Sequence, residues 1–184
     1  THHGGSGNDI FNINSSYSRI YGEDGDDIFN IIKGGNNMID GGAGTNTVTG
    51  TVGSNTTINV IGANSGSVSL TKGVEQVVNI NGIDYTMSTE STTATVIYSI
   101  NDSGQITFSM SSNQAIIRGD LNKKHNVSIK AGITFYGGNK GDIIDAHGAT
   151  IYLGSGNNTL KAFGTTIYGS SGNDTVSITD GSFF

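Results

Sequence analysis

Gly4-Gly5-Ser6-Gly7-Asn8-Asp9-Ile10-Phe11-Asn12 satisfies at every position the nine-residue pattern Gly-Gly-x-Gly-x-Asp-x-apolar-x. Its core returns at Gly22-Glu23-Asp24-Gly25-Asp26-Asp27-Ile28-Phe29-Asn30, which sets the two position-six aspartates, Asp9 and Asp27, two repeat lengths apart. The glycines permit left-handed backbone turns that expose carbonyl oxygens. The aspartate adds a hard anionic oxygen, and the apolar residue two places on points into a core. Oxygen-only ligation of this kind suits calcium rather than zinc or copper.

Working outward, residues 13–21 sit in register between the two strong copies, with Ile20 in the apolar position. After one extra residue, Ile31, weaker copies follow at 32–40 and 41–49, with Asn37 and Asn46 in position six and Ile39 and Val48 in the apolar position. A fainter sixth copy runs from Gly50 through Gly53 and Asn55. At the other end the period is 16: residues 137–152, 153–168 and 169–184 align, with Asp142, Asn158 and Asp174 in position six. Ile144, Leu160 and Val176 fill the apolar position, and Ile151-Tyr152, Ile167-Tyr168 and Phe183-Phe184 close each copy. A fainter copy at 121–136 aligns Asn126 with position six and closes on Phe135-Tyr136. This is an asymmetric solenoid coil, a nine-residue half with a Gly/Asp turn and a seven-residue half. Only the first half is equipped for metal, so the spacing predicts calcium on one edge of this block.

The nonapeptide is that of parallel β-rolls, and the chain resembles the RTX (repeats-in-toxin) family of secreted bacterial proteins. The resemblance implies ions held between turns stacked on one edge, by backbone carbonyls and position-six carboxylates. Carried over, the candidate metal residues are Gly4, Ser6, Asn8 and Asp9 in the first turn and Gly22, Asp24, Asp26 and Asp27 in the second. Asn46 follows, and Asn139, Gly141, Asp142, Asn158 and Asp174 line the C-terminal stack. Asn offers an oxygen without charge, so its turns should bind weakly or carry a side-chain amide ladder in place of metal. Lys140 stands where the pattern has glycine, and Leu153 and Ser170 depart from the double-glycine start.

Between the repeats, residues 59–120 lose the nonapeptide but stay β-like. Residues 94–100 and 105–110, joined by Asn101-Asp102-Ser103-Gly104, read as a hairpin. Residues 57–61 and 67–70, with a turn at Asn64-Ser65-Gly66, read as a second. The expected division is 1–58 calcium-binding repeats, 59–120 a β-rich middle of degenerate coils or an inserted β-sandwich, and 121–184 a 16-residue-repeat solenoid. The fold class is all-β: right-handed parallel β-roll or solenoid segments at both ends, with almost no helix.

Composition agrees with this class. The 184 residues include 29 Gly, no Pro, no Cys and no Trp, and 13% are charged. Without Cys there are no disulfides, thiolate metal sites or cysteine nucleophiles. A net charge of −6 argues against a nucleic-acid partner, and no apolar run of membrane-spanning length exists. No Gly-x-Ser-x-Gly elbow appears, and the carboxylates cluster in metal turns, so catalysis is not expected. His147 falls where Phe163 falls one coil later, the mark of a surface position. Arg118, Lys123, Lys124, His125 and Lys130 read as a solvated face or cap before they read as a contact for an anionic glycan or lipopolysaccharide.

The chain opens inside a repeat, and we expect a piece of something longer. Members of the resembled family leave Gram-negative bacteria by type I secretion and fold on meeting extracellular calcium. The expected role is therefore a calcium-binding structural module at the cell surface or outside the cell, of a surface-layer protein or adhesin. An accessory domain of a secreted toxin or of a hydrolase or polysaccharide-modifying enzyme is the alternative. Expected partners are calcium ions, with a surface glycan, lipopolysaccharide or neighbouring copies in a lattice as further classes.

Overall fold

A computed structural model describes residues 1–51, 56–61 and 65–179, and among these the regular elements are all strands. The N-terminal repeats form β1 (His2–Ser6), β2 (Ile10–Ile13), β3 (Arg19–Asp24), β4 (Ile28–Ile31), β5 (Asn37–Asp40) and β6 (Thr47–Thr51). The middle forms β7 (Thr56–Ile61), β8 (Ser65–Thr71), β9 (Gln76–Ile80), β10 (Ile83–Ser88), β11 (Thr93–Ile100), β12 (Ile106–Ser112) and β13 (Ala115–Gly119). The C-terminal repeats form β14 (Asn126–Ile129), β15 (Ile133–Tyr136), β16 (Ile143–His147), β17 (Thr150–Tyr152), β18 (Thr159–Phe163), β19 (Thr166–Tyr168) and β20 (Thr175–Ile178). They build two ten-stranded sheets, ordered β1-β3-β5-β7-β9-β10-β13-β15-β17-β19 and β2-β4-β6-β8-β11-β12-β14-β16-β18-β20. The chain is a β-solenoid, and the same two sheets run through residues 59–120.

Each strand is short and alternates, so one row of side chains enters the space between the sheets and the other faces out. Phe11, Phe29 and Val48 stack inward in register, as do Ile144, Leu160 and Val176. Phe11 lies over Phe29 two nonapeptides on, and Ile144 over Leu160 one C-terminal repeat on, as the two periods predict. The extra Ile31 lengthens the neighbouring coil, so Ile28 pairs with Thr47, one place beyond two nonapeptides. Inward Phe29, Ile39, Tyr85, Val96, Phe108, Ile117, Phe135 and Ile151 are fully buried, each contributing about 1.5–3 kcal/mol from apolar burial. Gly66 leaves a gap in the inward row that Tyr98, its partner on β11, fills. Outside, Tyr136, Tyr152 and Tyr168 stack at 4.5 and 4.4 Å between ring centroids, with the Arg118 guanidinium over Tyr136.

One coil runs backwards. β9 and β10 are antiparallel neighbours in one sheet, and β11 pairs antiparallel with both β8 and β12 in the other. The first reversal is Ile80-Asn81-Gly82-Ile83, where Asn81 and Gly82 have φ of 50° and 82°. Two left-handed residues between paired strands make the turn whose twist matches the flanking strands. The second is the expected hairpin, where Asn101 Oδ1 accepts from the backbone N–H of Ser103 and of Gln105. The other expected hairpin is not one. β7 and β8 lie in different sheets, and Ser65 and Gly66 are inside β8. A coil that changes sheet and a hairpin both need a strand, a turn and a strand, and only register separates them. Asn64, the fainter copy's Gly53 and Asn55, and the closing Phe183-Phe184 lie outside the described residues.

Strand direction assigns the turns to two edges. Among the described residues, every passage from the first sheet to the second in the forward coils falls on one edge, and so do both hairpin turns. That edge therefore carries the turns at 4–9, 22–27 and 41–46, then the reversals at 81–82 and 101–105, then the turns at 120–125, 137–142, 153–158 and 169–174.

Candidate metal edge

Position six points inward from this edge, and its side chains form a ladder. The Asp9 N–H donates to Asp27 Oδ1 at 2.9 Å, and the Asp27 N–H donates to Asn46 Oδ1 at 2.9 Å. Position five runs the opposite way: the Asp26 N–H donates to Asn8 Oδ1, and the Thr45 N–H to Asp26 Oδ1. Successive turns are thus tied in both directions, and the Asn8 and Asp26 side chains are committed to backbone. The position-four N–H of Gly7 donates to the Asp24 carbonyl at 2.7 Å, and that of Gly25 to the Ala43 carbonyl at 3.2 Å. Ser6 and Asp24, side by side in β1 and β3, are exposed at the rim.

The inner oxygens of the two aspartates are different. Asp27 is fully buried, and both Asp9 Oδ2 and Asp27 Oδ2 are sealed from solvent with no hydrogen-bond partner among the described residues. A buried anionic oxygen without a donor costs about 1–3 kcal/mol or more. Gly4 and Gly22 face these oxygens, and a Cβ on either would collide with the carboxylate. The same Cβ would stand 2.7 Å from the Gly22 carbonyl oxygen at Gly4, and 2.6 Å from the Gly41 carbonyl oxygen at Gly22. Each cradle thus presents a carboxylate and a carbonyl oxygen where only a glycine hydrogen fits. That donor set, hard, oxygen-only and lacking a proton to share, fits calcium. Among the described residues no three His, Cys, Asp or Glu side chains converge. Such a site therefore depends on backbone carbonyls beside single aspartates, and Asp24 and Asp26 bring no carboxylate cage to it.

Asparagine in position six behaves otherwise. Asn46 Nδ2 donates to the Gly42 carbonyl, and Asn158 Nδ2 to the carbonyls of Gly154 and Gly156 at 2.9 and 3.2 Å. On the opposite edge Asn37 accepts from the Ser18 N–H and donates to the Ser15 carbonyl. The amide hydrogens go to backbone carbonyls, so these asparagines brace the turns by side chain-to-backbone bonds rather than by the side-chain amide ladder expected from the sequence.

The C-terminal ladder continues through Asp142, Asn158 and Asp174. The Asp142 N–H donates to Asn158 Oδ1 at 2.7 Å, and the Asn158 N–H to Asp174 Oδ1 at 3.0 Å. Asn139 and Lys140 are exposed on this turn, and Gly141 takes the left-handed turn with φ of 76°. One assignment changes: Asn126 pairs with Ile143, so His125, not Asn126, stands in position six. The coil from His125 to Asp142 is one residue longer than the repeats that follow, so an alignment of fixed period misplaces position six by one. His125 is fully buried and leaves the surface basic group predicted for it, while Lys123 and Lys124 stay exposed. Its N–H and its Nδ1 both reach Asp142 Oδ1 at 2.9 Å, and the Gly138 N–H donates to Asp142 Oδ2 at 2.9 Å. Burial works against ionising Asp142, but these bonds from His125 and Gly138 outweigh it and hold the carboxyl below its usual range. Tyr85, edge-on to His125, has its phenol pushed up by burial and then by the Asp142 charge. His147 stacks beside Phe163 as the repeat predicts, half-exposed, with Asp145 as its partner.

A family model described as the RTX calcium-binding nonapeptide repeat (4 copies) matches residues 3–30, 33–57 and 165–181. The chain carries RTX repeats. The matched segments cover the turns of Asp9, Asp27, Asn46 and Asp174, and residues 58–164, with the reversed coil, lie between them. No curated protein and no solved structure matches the chain. Among the described residues no helix is long and apolar enough to cross a membrane.

Proposed function

We propose that the chain is a calcium-stabilised structural module of a secreted or cell-surface protein, and that its calcium lies at the first two RTX turns. The observation that carries this reading is the pair of sealed, unpartnered oxygens, Asp9 Oδ2 and Asp27 Oδ2, facing glycine cradles. Gly4 and Gly22 let the carboxylate and the next turn's carbonyl approach each other closely, and Asp9, Asp27 and neighbouring carbonyls would supply the ligands. Bound calcium would supply the positive charge that two stacked carboxylates need. Without it the turns repel, and a Gly/Ser/Asn-rich block buries little apolar surface to offset ordering. Binding and folding of that block are then one event. A chain that stays loose where calcium is scarce and folds where it is plentiful suits passage out of the cell.

A surface role is favoured by the outer face of the second sheet. Thr47 and Thr49 on β6 pair with Ser65 and Ser67 on β8, and Ser69 and Ser65 pair with Thr95 and Ser99 on β11. Thr107 and Ser109 continue the face on β12. Ile97, exposed between Ser67 and Ser109, interrupts the hydroxyl rows. This uncharged stretch of hydroxyls around one isoleucine supports a surface-layer or adhesin role, with a glycan or neighbouring copies as partner. The role is structural rather than catalytic: His125 is sealed in the core and His147 contacts a surface carboxylate.

Far-ultraviolet circular dichroism of the whole chain tests the calcium reading. Removing calcium should cost β-structure and lower the melting temperature, and millimolar calcium should restore both, since extracellular modules bind at about 10⁻⁴–10⁻³ M. Magnesium, which demands tight octahedral geometry, should restore little. A spectrum and melting temperature unchanged by chelator would refute the reading.

A further inference from the structure

We propose that His125, together with the Gly138 N–H, stands in for calcium at Asp142, so that the column His125–Asp142–Asn158 is a metal-free counterpart of the Asp9–Asp27 site on the same edge. The proposal rests on the reading that Asp9 and Asp27 bind calcium. The two columns share one backbone pattern, in which the position-six N–H of one coil donates to the position-six oxygen of the next. They differ in how fully the protein satisfies the carboxylate. At Asp9 and Asp27 the inner oxygen has no partner among the described residues. Asp142 receives three bonds from the protein: two on Oδ1, from the His125 N–H and Nδ1, and one on Oδ2, from Gly138. With the carboxylate ionised, Nδ1 is the donor. Asn158 Nδ2 lies within hydrogen-bond distance of Asp174 Oδ1 at 2.9 Å, as His125 Nδ1 does of Asp142 Oδ1, and of the Gly154 and Gly156 carbonyls.

The surroundings are shaped for the imidazole. A Cβ at Gly119 would stand 2.5 Å from His125 Nε2, and one at Gly138 would stand 2.9 Å from Cε1, so β13 must end in glycine where the ring enters. Tyr85 and Phe135 meet the ring edge-on at 5.6 and 6.0 Å between centroids. The ring fills this core position, its Nδ1 held on Asp142 and its Nε2 against Gly119, sealed without a hydrogen-bond partner among the described residues.

Hydrogen exchange, read residue by residue on the whole chain in millimolar calcium and then in chelator, tests the proposal. In the wild type, chelator should release the amides of Asp9 and Asp27 and leave those of His125, Asp142 and Asn158 protected. H125L, which fills the apolar site without a donor, should make the C-terminal amides calcium-sensitive. Their protection in chelator should fall by roughly ten- to a hundredfold, the worth of one charge-assisted hydrogen bond. H125N and H125Q, whose amides can reach the next carboxylate as that of Asn158 reaches Asp174, should restore part of it. Release of the wild-type C-terminal amides in chelator would overturn the proposal without any variant. So would equal protection of H125L and wild type in chelator. N-terminal amides that ignore calcium would refute the reading of the first turns alone, and the C-terminal amides decide the clamp separately.

Discussion

At position six of successive turns the chain places Asp9, Asp27 and Asn46, side chains of nearly one shape with opposite demands. The carboxylate keeps an oxygen that has no partner among the described residues, whereas the amide brings its own hydrogens to a carbonyl. Replacing Asp27 by Asn should therefore lower calcium affinity at least tenfold, about 1.4 kcal/mol, with little loss of structure in chelator. Isothermal titration on D27N, beside circular dichroism in chelator, checks both halves. Asp142 makes the complementary case. Its carboxyl is held below the ordinary range in the folded state, so its contribution is present above the unfolded value of about 3.9 and is lost as pH falls through the folded one. In chelator the C-terminal stack should hold its protection at mildly acidic pH and lose it only below about pH 4. Loss beginning near neutrality would mean another group governs that stack.

At the level of elements, the repeat strands were legible because the apolar position is tied to the glycine turn at a fixed distance. Phe11 and Phe29 are two nonapeptides apart, Ile144 and Leu160 one C-terminal repeat apart, and both couples pair as the alignment predicts. Two features escaped, each for a physical reason. Asn81-Gly82 is the strongest short hairpin signal in the chain, yet it lies where no repeat draws attention to it. His125 escaped because its coil is one residue longer than those that follow, which shifts position six off the alignment. The reversed coil also offers a change whose effect has a single cause. Gly82 takes φ of 82° with open space around its Cα, so Gly82→Ala acts through backbone strain alone. It should destabilise the chain by about 1 kcal/mol, measurable as a lower denaturation midpoint in calcium. An unchanged midpoint would mean the turn is not held in that conformation.

Over the whole molecule, one edge carries two chemistries separated by two hairpins. The turns of Asp9 and Asp27, whose inner oxygens have no partner among the described residues, precede the reversal, and the turns of His125, Asp142, Asn158 and Asp174 follow it. The sequence showed both blocks and their single equipped edge, since that information sits in local spacing. It could not show that the blocks share the edge, because this depends on how many times residues 59–120 cross between the sheets. Nor could it show which aspartates lack donors, a property of neighbours one coil away. The central claim concerns where an ion sits, and anomalous scattering from a crystal grown in millimolar calcium locates it directly. The account predicts an ion between the turns at 4–9 and 22–27, touching Asp9 Oδ2 or Asp27 Oδ2 and flanking carbonyls, with Asp142 still bonded to His125. An ion on Asp142 with the Asp9 and Asp27 cradles empty would contradict it.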